Sequence, residues 1–505
     1  MPIQKNMKKN IFTISLLGMA AVIFLTACSK DFLEVPIVGK LPDDQFYKTD
    51  ADAIQATTAV YDMMQYEEFF SWYMLKTLPS DESNSSGASA GDQPALQALD
   101  KFNFDSENQA IMMVWNKTYG IINRANLVIN KVLPENDLRK RLIAEAKTLR
   151  AYSYFELVTQ WGKVPIVLDQ LGISEFTTQT RAEVADVYAQ IEKDLIEAIP
   201  DLPVKSVYGA DDKFRLSKGA AQSILGKVYL YEEKWSDAAG MFNTVISSYE
   251  YALEPNFAKI FSSSGEFGQE SILETSFTTQ ATPYPNGRAR ESNVVVQLMG
   301  IKAGIYQKAP GDSLVGGGWA FNVPKAKLYN AYIAAGDVIR RRETLMSQEE
   351  LVAKGGNWTQ PTYYDYEGFV RRKYGSYSTE TFDGTSVADF GTNWRLIRYA
   401  DVLLMLAEAN YRLGDEENAR LEMNKVRARA SLGDVTATGD ALFDAIVTER
   451  QLELAYEAAR YPDLIRWKRA SQELSSLGFI AGKHELLPIP NNDVRSAGLE
   501  QNVGY

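Results

Sequence analysis

Residues 225–242 read LGKVYLYEEKWSDAAGMF, and their spacing of small and aromatic residues predicts the architecture of the chain. Gly226 lies on a segment of helical periodicity, and its lack of a side chain lets a second, antiparallel helix approach closely. Tyr229 and Phe242 are expected to fill the seam between the two helices. The polar run Glu233-Lys234-Trp235 marks the turn that joins them. The segment therefore predicts a pair of packed antiparallel helices.

The same segment matches the 34-residue tetratricopeptide pattern in the window 219–252. That pattern places Leu-Gly at positions 7 and 8, Tyr at 11, Ala at 20 and Phe at 24. The residues found there are Leu225, Gly226, Tyr229, Ala238 and Phe242. A weaker copy in the window 400–433 carries Leu406, Ala407, Ala419, Met423 and Val426, with a turn at Gly414-Asp415. Repeats of this kind stack as binding scaffolds, and the alternative is a generic helical hairpin.

Apolar residues at steps of three and four predict further helices. They run from a Thr49 or Asp50 cap through Met64, over 109–133, from Asp137 to a C-cap at Gly162, and from a Thr180–Glu183 capping box to Pro200. Short strands are predicted at 164–168, 271–277 and 368–373. Loop-rich segments cover 79–108, 262–325 and 352–394. The fold class is therefore mainly α, with tetratricopeptide-like helix pairs, a loop-rich remainder and a few short strands, and binding residues are expected on the loops.

The N-terminus has the features of a secretory signal. Lysines 5, 8 and 9 precede an apolar run that starts at Ile11 and ends in Leu25-Thr26-Ala27-Cys28. A cysteine in this position resembles a bacterial lipobox, in which the thiol is lipidated and becomes the first residue of the mature chain. The alternative is a short membrane helix, but the run from Ile11 to Ala27 is at the lower limit of spanning length. We therefore expect a signal peptide over 1–27 and a lipid anchor on Cys28.

Composition excludes several classes of function. Removing residues 1–27, which carry three lysines and no acid, takes the formal net charge from −12 to −15, which argues against nucleic acid and anionic lipid as partners. Cys28 is the single cysteine and His484 the single histidine, so a zinc site or a histidine-based di-iron centre is not expected. We predict no metal site and no cofactor, and acidic loops are too many to assign a structural calcium. Two-carboxylate glycosidase chemistry stays open.

Several segments, in order along the chain, resemble a known family. They are Asp31–Pro36, Glu145–Phe155 with Trp161–Pro165, Arg398–Ala409, Asn424–Arg429, Glu449–Leu454, Asp463–Trp467 and Gln501–Tyr505. Together they resemble the SusD/RagB family of outer-membrane nutrient-binding lipoproteins. Two positions depart from the family pattern: Val503 stands where proline is usual, and Tyr461-Pro462 replaces a common aromatic pair.

The resemblance implies a fold and a role. The fold would be one domain over 28–505, with four tetratricopeptide-like helix pairs, an N-terminal half over 28–260 and a C-terminal half over 261–505 that includes the loop-rich ligand face. The protein would be lipid-anchored in the outer membrane, facing the cell exterior. It would bind oligosaccharides and deliver them to a SusC-like TonB-dependent transporter without acting as an enzyme. The alternatives are a surface glycosidase and a peptide-binding lid of a transporter.

Most of the charged residues in these segments are expected to be structural. Ion pairs between helices are predicted for Arg450, Glu453, Glu457, Arg460, Asp463 and Arg466. Core positions are predicted for Trp115, Trp161, Trp235, Trp394 and Trp467. His484 is expected to be an ordinary loop or core residue.

Ligand contacts are expected from aromatic residues on polar loops. Flat rings match the C–H faces of sugars, and Asp, Asn and Arg side chains match their hydroxyls. The candidates are Trp72, Tyr73, Asp81, Asn84, Tyr284, Arg288, Arg290, Trp319, Asn322 and Tyr364, the last of which forms a loop cluster with Tyr363 and Tyr366. Each one alone is explained equally well as a buried loop anchor, and two or three of the group are expected to contact ligand.

Overall fold

A computed structural model of the chain describes residues 46–65, 70–279, 291–360, 363–381 and 389–505. Within these residues the structure is mainly helical. The helices are, in order, α1 Asp50–Met64, α2 Trp72–Thr77, α3 Pro94–Asp100, α4 Gln109–Lys131, α5 Asp137–Trp161, α6 Ile173–Phe176, α7 Val184–Ala198, α8 Lys218–Tyr231, α9 Trp235–Ser247, α10 Phe257–Ile260, α11 Val294–Met299, α12 Ala326–Ala334, α13 Val338–Thr344, α14 Gln348–Ala353, α15 Tyr399–Arg412, α16 Glu416–Arg429, α17 Asp440–Leu454, α18 Arg460–Arg466, α19 Ala470–Leu474 and α20 Asn491–Ala497.

The ends of the N-terminal helices follow from their capping residues. The Thr49 side chain accepts a hydrogen bond from the Asp52 backbone, and the Asp52 side chain accepts one from the Thr49 backbone, which confirms the predicted start of α1. Helix α5 ends at Gly162, whose φ of 72° is a conformation that glycine adopts readily. The predicted Thr180–Glu183 capping box is wrong. Glu183 is itself the N-cap residue of α7, and its carboxylate pairs with Lys163 at 2.6 Å.

The two predicted helix pairs are present as α8–α9 and α15–α16. Gly226 packs against Phe242 so closely that a Cβ atom there would lie 2.6 Å from the phenyl ring. Phe242 is fully buried in this seam, as predicted. Tyr229 is only half-buried and lies beside Lys234, so the prediction that it fills the seam is wrong. The second turn is at Gly414, with Asp415 capping α16.

The C-terminal core lies where α15, α16 and α17 pack together. Small and branched apolar side chains on their facing sides are buried together, as the periodicity of the sequence predicts. The cluster consists of Ala400, Leu403, Leu404, Ala407, Ala419, Met423, Val426, Leu442 and Ile446. These helices form the rigid frame from which the loops extend.

The strands within the described residues are short and pair two by two. They are β1 Ser83–Asn84, β2 Ser271–Thr275, β3 Tyr306–Gln307, β4 Val323–Pro324, β5 Leu345–Ser347, β6 Asn357–Trp358, β7 Phe369–Arg371 and β8 Trp394–Arg398. The antiparallel pairs are β1–β4, β2–β8, β3–β6 and β5–β7. The predicted strands at 271–277 and 368–373 correspond to β2 and β7. The strand predicted at 164–168 is wrong, since Val164 makes only an isolated bridge with Ala182.

Buried ion pairs join the helices, as predicted. Arg450 pairs with Asp401 at 2.9 Å and with Asp463 at 2.8 Å, and Arg466 pairs with Glu408 on α15 at 2.5 Å. His484 is fully buried, as expected of a core residue. Trp115, Trp161, Trp394 and Trp467 are buried as predicted, whereas Trp235 is half-buried.

Residues 49–505 cluster into one compact unit. Among the residues that the structure describes, no helix combines the length and the apolar character that crossing a bilayer requires.

Candidate functional site

Four of the predicted site residues lie outside the described residues. They are Cys28, Tyr284, Arg288 and Arg290. Their roles in lipidation and in ligand binding stay predictions.

Trp72 and Tyr73 lie in the interior, on the short helix α2. Trp72 is 4% exposed, and its indole nitrogen donates a hydrogen bond to the Thr118 hydroxyl at 2.9 Å. Tyr73 is equally buried, and its hydroxyl accepts a hydrogen bond from Arg371. Burial raises the pKa of Tyr73 to about 12, although the Arg371 charge acts in the opposite direction. These partners give both rings a structural role.

Asp81 is also buried, in an ionic contact between residues 379 positions apart in the sequence. Both of its oxygens accept hydrogen bonds from Arg460 at 2.9 Å, and Lys327 lies 2.7 Å away. Burial by itself raises the pKa of Asp81, but the hydrogen bonds and charges of Arg460 and Lys327 outweigh it and hold the pKa at about 2. Asp81 is therefore a permanent anion whose oxygens are already engaged.

Asn84 and Asn322 are buried beside one another through the β1–β4 pair, in which Asn84 lies opposite Val323. The Asn84 amide donates hydrogen bonds to the Asp365 carbonyl at 3.2 Å and to Glu367 at 2.8 Å. The Asn322 carbonyl oxygen accepts one from Arg371 at 3.2 Å, the same guanidinium that Tyr73 contacts. Both amides therefore hold neighbouring segments in place through hydrogen bonds.

Four neighbouring loop segments form a surface that we call the loop face. It consists of residues 84–91, 316–322, 357–360 and 363–367. Ser86 is the meeting point. Its backbone nitrogen donates a hydrogen bond to the Ala320 carbonyl at 3.1 Å, and its hydroxyl donates one to the Tyr364 carbonyl. Trp319 and Tyr364 are both half-buried, and these bonds bring their loops together. Of the ten candidate ligand residues, they are the two described ones that keep partly exposed rings.

A tight backbone crossing positions Trp319. A Cβ atom on Gly318 would lie 2.4 Å from the backbone of Gly300, so only glycine fits at this point. The Trp319 backbone nitrogen donates a hydrogen bond to the Gln297 carbonyl at 3.0 Å. The glycine run before Trp319 is thus explained by a close approach of two chain segments, which holds the base of this loop rigidly.

A stack of three rings lies on the same face. The ring centroids of Trp358 and Tyr366 are 5.7 Å apart with an interplanar angle of 12°, and those of Tyr366 and Tyr363 are 4.2 Å apart at 16°. All three rings are half-buried. The β3–β6 pair places Tyr306 against the Trp358 ring, with centroids 5.5 Å apart, and so anchors the base of the stack.

Trp358 is the residue that sequence reasoning missed. It follows Gly355-Gly356-Asn357 in a polar, glycine-containing segment, so the criterion that selected Trp319 also applies to it. Within the described residues, the Trp358 indole nitrogen and the Tyr366 hydroxyl are buried and have no hydrogen-bond partner. Burial raises the pKa of the Tyr366 hydroxyl above its ordinary value, so this group remains protonated at neutral pH.

The arrangement suits non-covalent binding. Each ring of the stack covers part of its neighbour, and the parts that stay exposed offer apolar contact area at little cost in side-chain entropy. Among the described residues, no group of three or more His, Cys, Asp or Glu side chains could hold a metal ion.

Comparison with known proteins agrees with this fold. Residues 339–505 match the SusD family, and residues 31–230 match a family described as starch-binding and associating with the outer membrane. SusD-like protein P2 of Formosa agariphila is 27% identical over 96% of this chain and 98% of its own length.

Solved structures are similar over nearly the whole chain. A laminarin-binding SusD-like protein is 32% identical, with a TM-score of 0.82 over 91% of this chain and 100% of that one. Surface glycan-binding protein A from Bacteroides thetaiotaomicron, in complex with laminarihexaose, shares the fold with a TM-score of 0.77 at 22% identity, over 90% of this chain and 100% of that one.

Proposed function

Because the chain belongs to the SusD family, we propose that it is a surface lipoprotein that binds oligosaccharides on its loop face and delivers them to a SusC-like transporter. The lipobox-like cysteine Cys28 supports attachment to the outer membrane by acyl chains, and the family is described as associated with that membrane. Transport energy would come from the transporter, and this chain would contribute capture and release. It binds its ligand without cleaving it.

The ring stack of Trp358, Tyr366 and Tyr363 is the observation that carries this proposal. The C–H face of a sugar packs on a flat aromatic ring, and the rings of this stack are close to parallel. Trp319 and Tyr364 lie on the loops joined at Ser86 and extend the aromatic surface. The buried Asn84 and Asn322 amides hold these loops, so the surface is organised before ligand arrives and binding costs less ordering entropy.

Laminarin is the first ligand to test. A laminarin-binding SusD-like protein is 32% identical to this chain over 91% of its length. Starch is the second, because it is named in the description of the family that matches the N-terminal half. Peptides are the third, since a peptide-binding lid is the remaining alternative to glycan capture.

Replacing Trp358 with alanine tests the proposal directly. We expect the affinity for the bound glycan to fall by about tenfold or more, because removing a stacked ring from a binding surface costs on the order of 1–2 kcal/mol or more. Trp319→Ala should weaken binding in the same direction. Isothermal titration of the mature chain with laminarin, starch and a peptide mixture measures the effect.

The matched control is Trp235→Ala. Trp235 is also half-buried, but it lies at the start of α9 with Arg412 over its ring, away from the loop face. Its replacement should leave the titration unchanged. Equal affinities for wild type and Trp358→Ala would overturn the loop-face assignment. Release of shorter sugars from laminarin during the titration, followed by chromatography, would instead support a glycosidase.

A further inference from the structure

A cavity of about 260 Å³ is lined by residues that, within the described part of the chain, do not belong to the loop face. Its walls come from α4, from the segment 165–179 and from the C-terminal segment 493–499. Trp115 and Phe176 both line it; Trp115 is buried, whereas Phe176 is 48% exposed. The lining therefore combines a buried and an exposed aromatic side chain.

Helix α4 presents a regular polar pattern to this cavity. Asn116, Tyr119 and Asn123 are spaced three and four residues apart, so they lie in a row on one face of the helix. Both asparagines are exposed, and the half-buried Tyr119 ring lies between them. The Tyr119 hydroxyl donates a hydrogen bond to the Pro165 carbonyl at 2.9 Å, which fixes the orientation of the ring. An amide, a fixed ring and an amide thus follow one another along the helix.

We propose that this cavity is a second carbohydrate subsite that takes one neutral sugar residue of a longer glycan. The inference rests on the proposed function, because it assumes that the chain binds glycans at the loop face. Asn116 and Asn123 would bond the sugar hydroxyls, and the Tyr119 and Phe176 rings would contact its C–H faces. A polysaccharide held at both places would be retained longer than at either one.

The charge of the cavity selects against charged sugars. Two carboxylates, Asp169 and Asp493, line it, and among the described residues its lining includes no Lys, Arg or His. The two carboxylates disfavour a sulfated or uronic acid residue there. The nearby Arg181, whose charge acts on Tyr119, already donates a hydrogen bond to the Glu500 carbonyl at 2.9 Å. Amide groups both donate and accept hydrogen bonds, as sugar hydroxyls require. The volume lies just below the ~300 Å³ at which pockets enclose a drug-sized ligand, so it suits a single ring.

The test compares a polymer with a short oligosaccharide. We expect Asn116→Ala/Asn123→Ala to lose about tenfold in affinity for laminarin, because binding at two places raises affinity by effective concentration. Laminarihexaose engages the loop face alone, so it gains nothing from effective concentration. The affinity of the double variant for it should therefore stay within about twofold of wild type. Isothermal titration of the full mature chain gives both values, and circular dichroism melting checks that the variant is folded.

The control is Asn243→Ala, an exposed asparagine on α9 outside both surfaces. It should leave both affinities unchanged. Equal laminarin affinities for wild type and the double variant would overturn the second subsite and leave the proposed function standing. Equal losses for laminarin and the hexasaccharide would also overturn it, since the cavity would then be part of one site. A wild-type chain that binds neither ligand would overturn both proposals for this glycan.

Discussion

At the scale of single residues, Gly226 shows how one side chain determines a helix crossing. Phe242 occupies the space that a Cβ atom on Gly226 would need, and the phenyl ring is fully buried. A helical glycine normally costs about 1 kcal/mol relative to alanine. Here the cost is offset by the close packing of α8 on α9, which no larger residue permits.

Gly226→Ala should therefore destabilise the protein, against its higher helix propensity. We expect a loss of about 1–3 kcal/mol in the free energy of unfolding, as for other overpacked cores. Gly240→Ala is the matched control, because Gly240 is exposed on α9 and no described residue has an atom within 4 Å of the added carbon. That change should stabilise by up to about 1 kcal/mol. Chemical denaturation measures the free energy of unfolding of both variants. An equal change in both would contradict the steric explanation.

At the scale of secondary-structure elements, the buried carboxylate of Glu453 connects three helices and a strand. Glu453 on α17 accepts hydrogen bonds from Arg340 on α13 at 2.8 Å, from Arg398 on β8 at 2.5 Å and from Arg429 on α16. Burial by itself raises the pKa of Glu453, but the three guanidinium charges outweigh it and hold the pKa well below its usual value. One side chain thus sets the relative positions of a strand and three helices.

Glu453→Gln should be among the most destabilising changes in the chain. It leaves the buried Arg340 and Arg398 with one anion fewer, and breaking a buried pair in this way costs about 3–5 kcal/mol. The exposed Glu417→Gln on α16 is the control and should change stability by less than about 0.5 kcal/mol. Denaturant unfolding measures both, and a loss below 1 kcal/mol for Glu453→Gln would contradict the role assigned to it.

At the scale of the whole molecule, His484 belongs to an aromatic cluster that joins distant parts of the sequence. Its ring lies 5.4 Å from Phe102, 5.1 Å from Phe104 and 6.3 Å from Tyr505, measured between ring centroids. Its Nδ1 atom accepts a hydrogen bond from the Ile480 backbone at 2.9 Å. Burial is the main cause that lowers the pKa of His484 to about 4. The cluster is therefore built around a neutral imidazole.

Acid should weaken this junction by protonating His484, whose charged neighbours are Lys483 and Glu485. The pKa of His484 in the folded protein lies below its unfolded value of about 6.5. The stabilisation that the neutral imidazole contributes is therefore complete above pH 6.5 and is lost as the pH falls towards 4. The loss amounts to about 3 kcal/mol. In His484→Asn, whose amide oxygen can accept the same hydrogen bond, that part of the pH dependence should be missing. Unfolding curves at pH 7 and pH 4 test this, and equal pH dependence in both proteins would contradict it.

Comparison of the helices with the loops shows what periodicity can predict. The ends of α1 and α5 and the two helix pairs follow from local contacts, since caps and apolar steps act within a few residues. Trp358 meets the criterion that selected Trp319 and was overlooked, and no local signal separates a buried anchor from an exposed ring on a polar loop. Trp72 and Tyr73 were placed among the ligand candidates for the same reason, although their partners Thr118 and Arg371 bury them.

The sequence by itself determined the helical frame, the repeat pairs and the family to which the chain belongs, because short-range spacing carries all three. Only the tertiary structure decided which loop aromatics share a surface. The junction of loops at Ser86 and the attachment of Asn84 to the 363–367 loop depend on hydrogen bonds between residues more than two hundred positions apart. Contacts of that separation leave no pattern in a single sequence, since each loop meets the others only after the frame has brought them together.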